Sequence, residues 1–152
     1  MIPVLNLSRS EISSILRSHE LRPTKIRIAV IDLLQNDSSA LSHSEIEKRL
    51  EMNVDRVTLF RTLNNFTDKN IVHRIVNDNS VASYALCDLE KCTVEGHSDK
   101  HVHFKCDQCG KIFCVALNNS FTPKISSDFM VTEWKISVGG ICPSCVRGDH
   151  EN

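Results

Sequence analysis

The sequence predicts an α+β protein in two parts: a helical N-terminal part closed by a hairpin, then a small α/β part built round four cysteines. Three observations predict it. Apolar residues recur at helical spacing through the first part of the chain and at strand spacing beyond it. None of the seven cysteines lies before Cys87. Two Cys-x-x-Cys pairs, Cys106/Cys109 and Cys142/Cys145, fall well apart in the metal-rich half. The division that follows is 1–87, a connector over 88–99, and 100–152.

The helices come first. "SEISSILRSH" sets Ile12, Ile15 and Leu16 on one face. "RPTKIRIAVIDLLQN" follows, with Thr24 as N-cap and Ile26, Ala29, Val30, Leu33 and Leu34 as an apolar stripe. "LSHSEIEKRLE" opens with Ser42-x-x-Glu45, in which each side chain satisfies an orphan backbone N–H. A fourth helix, residues 55–69, starts from Asp55 as N-cap and buries Leu59, Leu63 and Phe66. "IVHRIV" and "ASYALC" are rich in strand formers and flank the turn-prone "NDNS", which makes a hairpin.

Helix, helix, helix and hairpin in that order is the winged helix-turn-helix arrangement, whose last helix enters the DNA major groove. On the side away from its buried stripe, the fourth helix carries Arg56, Thr58, Phe60 and Arg61, with Asn64 or Asn65 beside them. Arginine pairs with guanine edges or phosphates, while Thr and Phe contact a thymine methyl. A plain solvated helix face reads the same residues equally well.

Composition bounds the function. The chain has 152 residues, 41% hydrophobic and 24% charged, with a formal net charge of −1. Charge divides unevenly, with 11 Lys+Arg against 9 Asp+Glu in residues 1–75 and 7 against 10 in 76–152. No apolar run approaches the roughly 20 residues that span a bilayer. The N-terminus lacks a basic start followed by an apolar core, so a cytoplasmic protein without a membrane partner is expected. In a reducing compartment, an odd number of cysteines argues for metal ligation over disulfides.

Two Cys-x-x-Cys knuckles complete a tetrahedral S4 shell, which suits a structural Zn²⁺ held by Cys106, Cys109, Cys142 and Cys145. Gly110 follows the first knuckle, where the turn needs positive φ. A redox pair and an iron–sulfur cluster are the alternatives. Redox chemistry is disfavoured by two matched pairs outside any thioredoxin-like βαβ pattern. His101 and His103 alternate in "KHVHFKC", so a strand puts both imidazoles on one face. Cys114, on the next strand, returns toward them if the chain turns at the knuckle. His73 and Cys87 lie on the two arms of the hairpin. Together these five define a second candidate ion between the hairpin and the C-terminal half, against the bland reading of a strand histidine and buried cysteines.

A winged helix followed by H-x-H-F-x-C-x-x-C-G-K and a distal C-x-x-C resembles the ferric uptake regulator family of bacterial metal-sensing repressors. "LRPTKIR" is similar to the family's R-x-T-x-x-R entry to its second helix, which adds Arg22 to the DNA-contacting set. "DRVTLFRTLNNFTDKNIVHRI" is similar to its recognition helix and wing, with Phe60 where Tyr is usual. The resemblance spans nearly the whole chain. It implies a homodimer, joined through the C-terminal domain, that binds a palindromic duplex DNA operator when its sensing site is metallated.

Departures from the pattern narrow this. Ala40 stands where iron and peroxide sensors carry a histidine, and His43 in the capping box is no replacement. Cys87 stands where iron sensors have a carboxylate, and Cys114 where many members place a glutamate. His73 in "VHR" resembles the zinc-uptake branch. Thiolates in place of carboxylates favour Zn²⁺ over Fe²⁺. The sensing shell expected from the resemblance is His73, Cys87, His101 and His103, with Cys114 as competitor or fifth member. Zn²⁺ is the expected ion, with Fe²⁺ or Mn²⁺ as alternatives. The family's frequent third site is lost, since its positions read Lys100, Val102, Phe121 and Trp134. Cys92, His97 and Asp99 in the connector read as solvated linker before metal capture. An enzyme with a small organic substrate is not expected: the deaminase pattern H-x-E with P-C-x-x-C is absent. An iron- or peroxide-sensing regulator of the same family is the alternative function.

Overall fold

The computed structural model describes residues 6–76, 80–89, 101–116, 124–132 and 136–149. Helix α1, Arg9–Ser18, starts from Ser8, which exchanges hydrogen bonds with Glu11 in a capping box. That Ser-x-x-Glu signal is legible in the sequence but goes beyond the caps expected there. Helix α2, Lys25–Gln35, begins at Thr24, whose hydroxyl accepts from the Arg27 N–H. A two-residue strand β1, Leu41–Ser42, leads into α3, His43–Arg49, through the expected Ser42–Glu45 box. Helix α4, Arg56–Asp68, is capped by Asp55, which accepts from the Thr58 N–H at 2.9 Å.

Strands β2, Val72–Val76, and β3, Ala82–Leu86, pair antiparallel with His73 opposite Ala85. Strand β1 adds to the other edge of β3, a pairing too short for periodicity to reveal. The helices and this sheet close round one core that includes Ile12, Leu16, Val30, Leu34, Leu59, Leu63, Phe66 and Tyr84. Phe66 and Leu59 are fully buried, so the apolar stripe of α4 points inward and its opposite face is free for solvent or a ligand. Within the second helix the stripe is only partly sealed. Val30 and Leu34 are buried with Ile31, while Ile26, Ala29 and Leu33 are half-buried.

The second sheet is β5-β4-β6. Strand β4, His101–Cys106, pairs antiparallel with β5, Ile112–Ala116, and parallel with β6, Ser137–Gly140. A short helix α5, Pro143–Arg147, has Cys142 as its N-cap, carries Cys145 and ends at Gly148 in the left-handed region. The turn between β4 and β5 is the first knuckle, and Gly110 takes φ +72° there. Among the described residues a bridge ties the two sheets: the Ala40 N–H donates to the Ile112 carbonyl at 2.7 Å. Most of the connector lies outside the described residues, including Cys92, His97 and Asp99, as do Lys100, Phe121 and Trp134; Val102 is buried in β4. Among the described residues no helix is long and apolar enough to cross a membrane.

Candidate metal centres and DNA-facing helix

Among the described residues two groups of metal-ligating side chains form, each with all donor atoms within 4.8 Å of one another. The first is Cys106, Cys109, Cys142 and Cys145. Cys106 ends β4 and Cys109 closes its turn, while Cys142 and Cys145 cap and enter α5. The Cys106 and Cys145 sulfurs are 3.6 Å apart, and those of Cys109 and Cys142 3.9 Å. A zinc–thiolate bond of about 2.3 Å implies tetrahedral edges of roughly 3.8 Å, so the spacing fits one S4-bound ion. It is far too wide for a disulfide at about 2.05 Å.

Electrostatics fit the same reading. Burial works against a Cys106 thiolate, but backbone N–H groups of Cys109, Cys142 and Gln108 outweigh it and lower the pKa to about 6. The Cys142 N–H donates to that sulfur at 3.3 Å. Burial and the neighbouring cysteines, Cys142, Cys106 and Cys109, push Cys145 strongly upward. Four thiols packed this closely cannot all ionise without a cation among them.

The second group is His73, His101, His103 and Cys114. His101 and His103 sit on one face of β4, as their alternation requires, and Cys114 lies directly opposite His103 on β5. His73 reaches them from β2 of the other sheet. Its Nε2 lies 2.8 Å from the Cys114 sulfur, and the Nε2 atoms of His101 and His103 are 3.0 Å apart. The three rings cluster with centroids 4.5–5.2 Å from one another. Three imidazole nitrogens and one sulfur make a four-donor shell of a kind that suits Zn²⁺.

Cys87, expected in the shell ahead of Cys114, is not among these four. It follows β3, is buried to 1% exposure, and places its sulfur 3.6 Å from Nδ1 of His73, at the ring's other end. Cys114 is the cysteine that belongs to this group. Strand register sets Cys114 opposite His103, a pairing that sequence spacing does not show.

On α4, Arg56, Thr58, Phe60 and Arg61 are all exposed, as is Arg22 before α2. Two are already engaged. Arg56 pairs with Glu47 on α3 at 3.2 Å, and the Thr58 hydroxyl donates to Asp55 within the cap. Phe60 is 52% exposed and Val57, three residues before it, 57%. Val57 was missed from sequence; the available signal is an apolar residue off the buried stripe. The Arg22 carbonyl accepts from the Arg27 guanidinium at 2.8 Å, fixing the entry to α2.

A model of the ferric uptake regulator family matches residues 18–136. The chain belongs to the ferric uptake regulator family. Like its relatives it is a metal-responsive DNA-binding transcription regulator. No curated protein matches it closely in sequence. Among solved structures, a zinc uptake regulator complexed with zinc and DNA is 20% identical, with 93% of this chain and 94% of that one covered and a TM-score of 0.64. Holo XcZur is 16% identical over 92% and 99%, with a TM-score of 0.62. The Vibrio cholerae ferric uptake regulator is 19% identical over 86% and 98%, with a TM-score of 0.59. At these identities the likeness is one of fold, and ferric uptake regulator relatives of differing metal choice share it.

Proposed function

We propose that this chain is a zinc-sensing repressor that binds a palindromic operator as a homodimer when its second site is metallated. The observation that carries the reading is the His73, His101, His103 and Cys114 group, because it draws donors from both sheets. Three imidazoles and a thiolate, with no carboxylate, favour Zn²⁺ over Fe²⁺ or Mn²⁺. The same composition argues against peroxide sensing by iron-bound oxygen-donor shells. The DNA and zinc held by the 20% identical relative support the partner and the ion.

Zinc, when bound, supplies a cross-link between the two sheets. His73 offers Nε2 from the hairpin that follows the recognition helix, and β4 with β5 offers the other three donors. With all four drawn to one point, α4 is held at one angle to the C-terminal part. In a homodimer that angle sets the spacing of the two recognition helices, which must match half-sites about one helical turn apart. The arrangement with converged donors therefore gains population as zinc rises, and DNA affinity rises with it. The Cys106, Cys109, Cys142 and Cys145 site takes a different part: these four thiolates would close round a structural ion, which would tie α5 to β4.

The test is a titration of operator binding with Zn²⁺ and with Fe²⁺, using a duplex selected from a random pool and protein purified without oxygen. Wild-type affinity should rise with Zn²⁺ at lower free concentration than with Fe²⁺. His103→Ala should remove the response yet leave a folded dimer by sedimentation. Equal wild-type affinity with and without metal would refute the sensor; a stronger response to Fe²⁺ would reassign the ion.

A further inference from the structure

Helix α4 buries Leu59, Thr62, Leu63 and Phe66. At about 100° per residue, these lie roughly 200°, 140°, 240° and 180° round the helix from Val57. Val57 is thus set directly opposite the buried stripe, and it is more than half exposed, as is Phe60. Phe60 and Arg61 flank it, about 60° to one side and about 40° to the other. Arg56 and Thr58 stand farther round, each about 100° from Val57. Both are engaged, Arg56 with Glu47 and the Thr58 hydroxyl with Asp55. Among the described residues Arg61 has no ion pair. The outermost face of α4 is therefore apolar, with one unpaired cation beside it.

The side chain of Val57 has no donor or acceptor. In a major groove it can match only the C5-methyl of thymine, the one apolar group on a base edge there. Cβ atoms three residues apart on a helix are about 5–6 Å from one another, enough to reach neighbouring bases stacked roughly 3.4 Å apart. We propose that Val57 is a specificity-determining residue: with Phe60 it forms an apolar strip that meets the methyl groups of two neighbouring thymines. Arg61, at the edge of the strip, reaches the base edge or phosphate alongside. This rests on α4 entering the major groove, and names the side chains of that helix that choose the sequence. Arg56 and Thr58 then serve the helix itself, one tying α4 to α3 and the other closing its first turn.

Deoxyuridine isolates a methyl contact, because it differs from thymidine by that methyl alone. The experiment uses the zinc-loaded full chain and an operator duplex selected from a random pool, with each thymine of a half-site replaced in turn by deoxyuridine. Wild-type affinity should fall roughly fourfold at each of two neighbouring thymines, the worth of one buried methyl. Val57→Ala should lose the penalty at one of them and Phe60→Ala at the other. Melting should be unchanged in Val57→Ala, since the side chain is exposed. General loosening of the helix would not give a loss confined to one base position. Arg56→Ala should keep both penalties. Where Arg61→Ala weakens operator binding, no uridine penalty in wild type, or both penalties intact in Val57→Ala, would overturn the assignment alone. If Arg61→Ala also left binding unchanged, α4 would not be the reading helix, and the assignment would fall with it.

Discussion

The Ala40 N–H donates to the Ile112 carbonyl at 2.7 Å, joining the approach to β1 to the edge strand β5. Around that bond Ala40, Ile75, Ile112 and Cys114 form a small apolar cluster with Ala85 against it. Ala40, at the position that the resemblance sets against a histidine of iron sensors, is here a packing contact. Cys114 belongs both to this cluster and to the four-donor group, so sheet docking and ligand placement share a residue.

Ile112→Ala tests that coupling. Truncating a buried isoleucine costs about 2–5 kcal/mol, and here the loss falls where the two sheets meet. Chemical denaturation should show reduced stability, and a zinc titration should show weaker binding at the second site, because His73 is held less firmly opposite β4. Reduced stability with unchanged second-site affinity would mean the two are independent.

Cys106→Ser is expected to unfold the C-terminal part. Structural zinc contributes on the order of 10 kcal/mol to folding of small domains, far above what one core contact supplies. Metal analysis should give one zinc fewer per chain, and the folded dimer should be lost in sedimentation. A stable dimer with zinc content reduced by one would show that the four-cysteine site is dispensable for the fold.

Asp37 predicts an acid-side effect. Burial raises its pKa, but the Ser39 N–H, the Ser39 hydroxyl and the Arg49 guanidinium outweigh it and hold the carboxyl below its ordinary value. A folded-state value below the unfolded one gives stability that is present above the ordinary carboxylate range and lost as pH falls through the folded value. Thermal melts of Asp37→Asn should therefore show lower stability than wild type at pH 7 and a smaller gap below about pH 4. A gap that held constant with pH would remove Asp37 from the account.

The exposed face of α4 predicts separable effects on DNA and on stability. Arg61→Ala and Phe60→Ala remove exposed side chains and should leave melting nearly unchanged, since exposed positions away from special contacts stay within about 0.5 kcal/mol. Operator binding should weaken by about 1–3 kcal/mol for an arginine reading a base edge. If Arg61 instead meets a phosphate, binding should weaken on all sequences and the salt slope should fall by about one. Unchanged binding in both variants would place the interface elsewhere.

Much of this molecule is written locally. Thr24, Ser42 and Asp55 each cap a helix as their sequence context requires, because a cap needs only the next three residues. Two-residue spacing brings Cys106 to Cys109 and Cys142 to Cys145, and strand alternation puts His101 and His103 on one face. The partners of those features are distant and depend on register. Strands β1 and β6 were not legible, being two and four residues long and stabilised by neighbours far along the chain. Which nitrogen of His73 each of Cys87 and Cys114 stands near was not legible either. Both are cysteines at plausible distances from His73 in sequence, and only the packing of β2 against β5 determines which sulfur meets Nε2 and which meets Nδ1. Sequence alone determined the ligand inventory and the helices, because those follow from short-range spacing. The tertiary structure decided how the inventory divides, because a ring nitrogen's partner depends on how two sheets are docked.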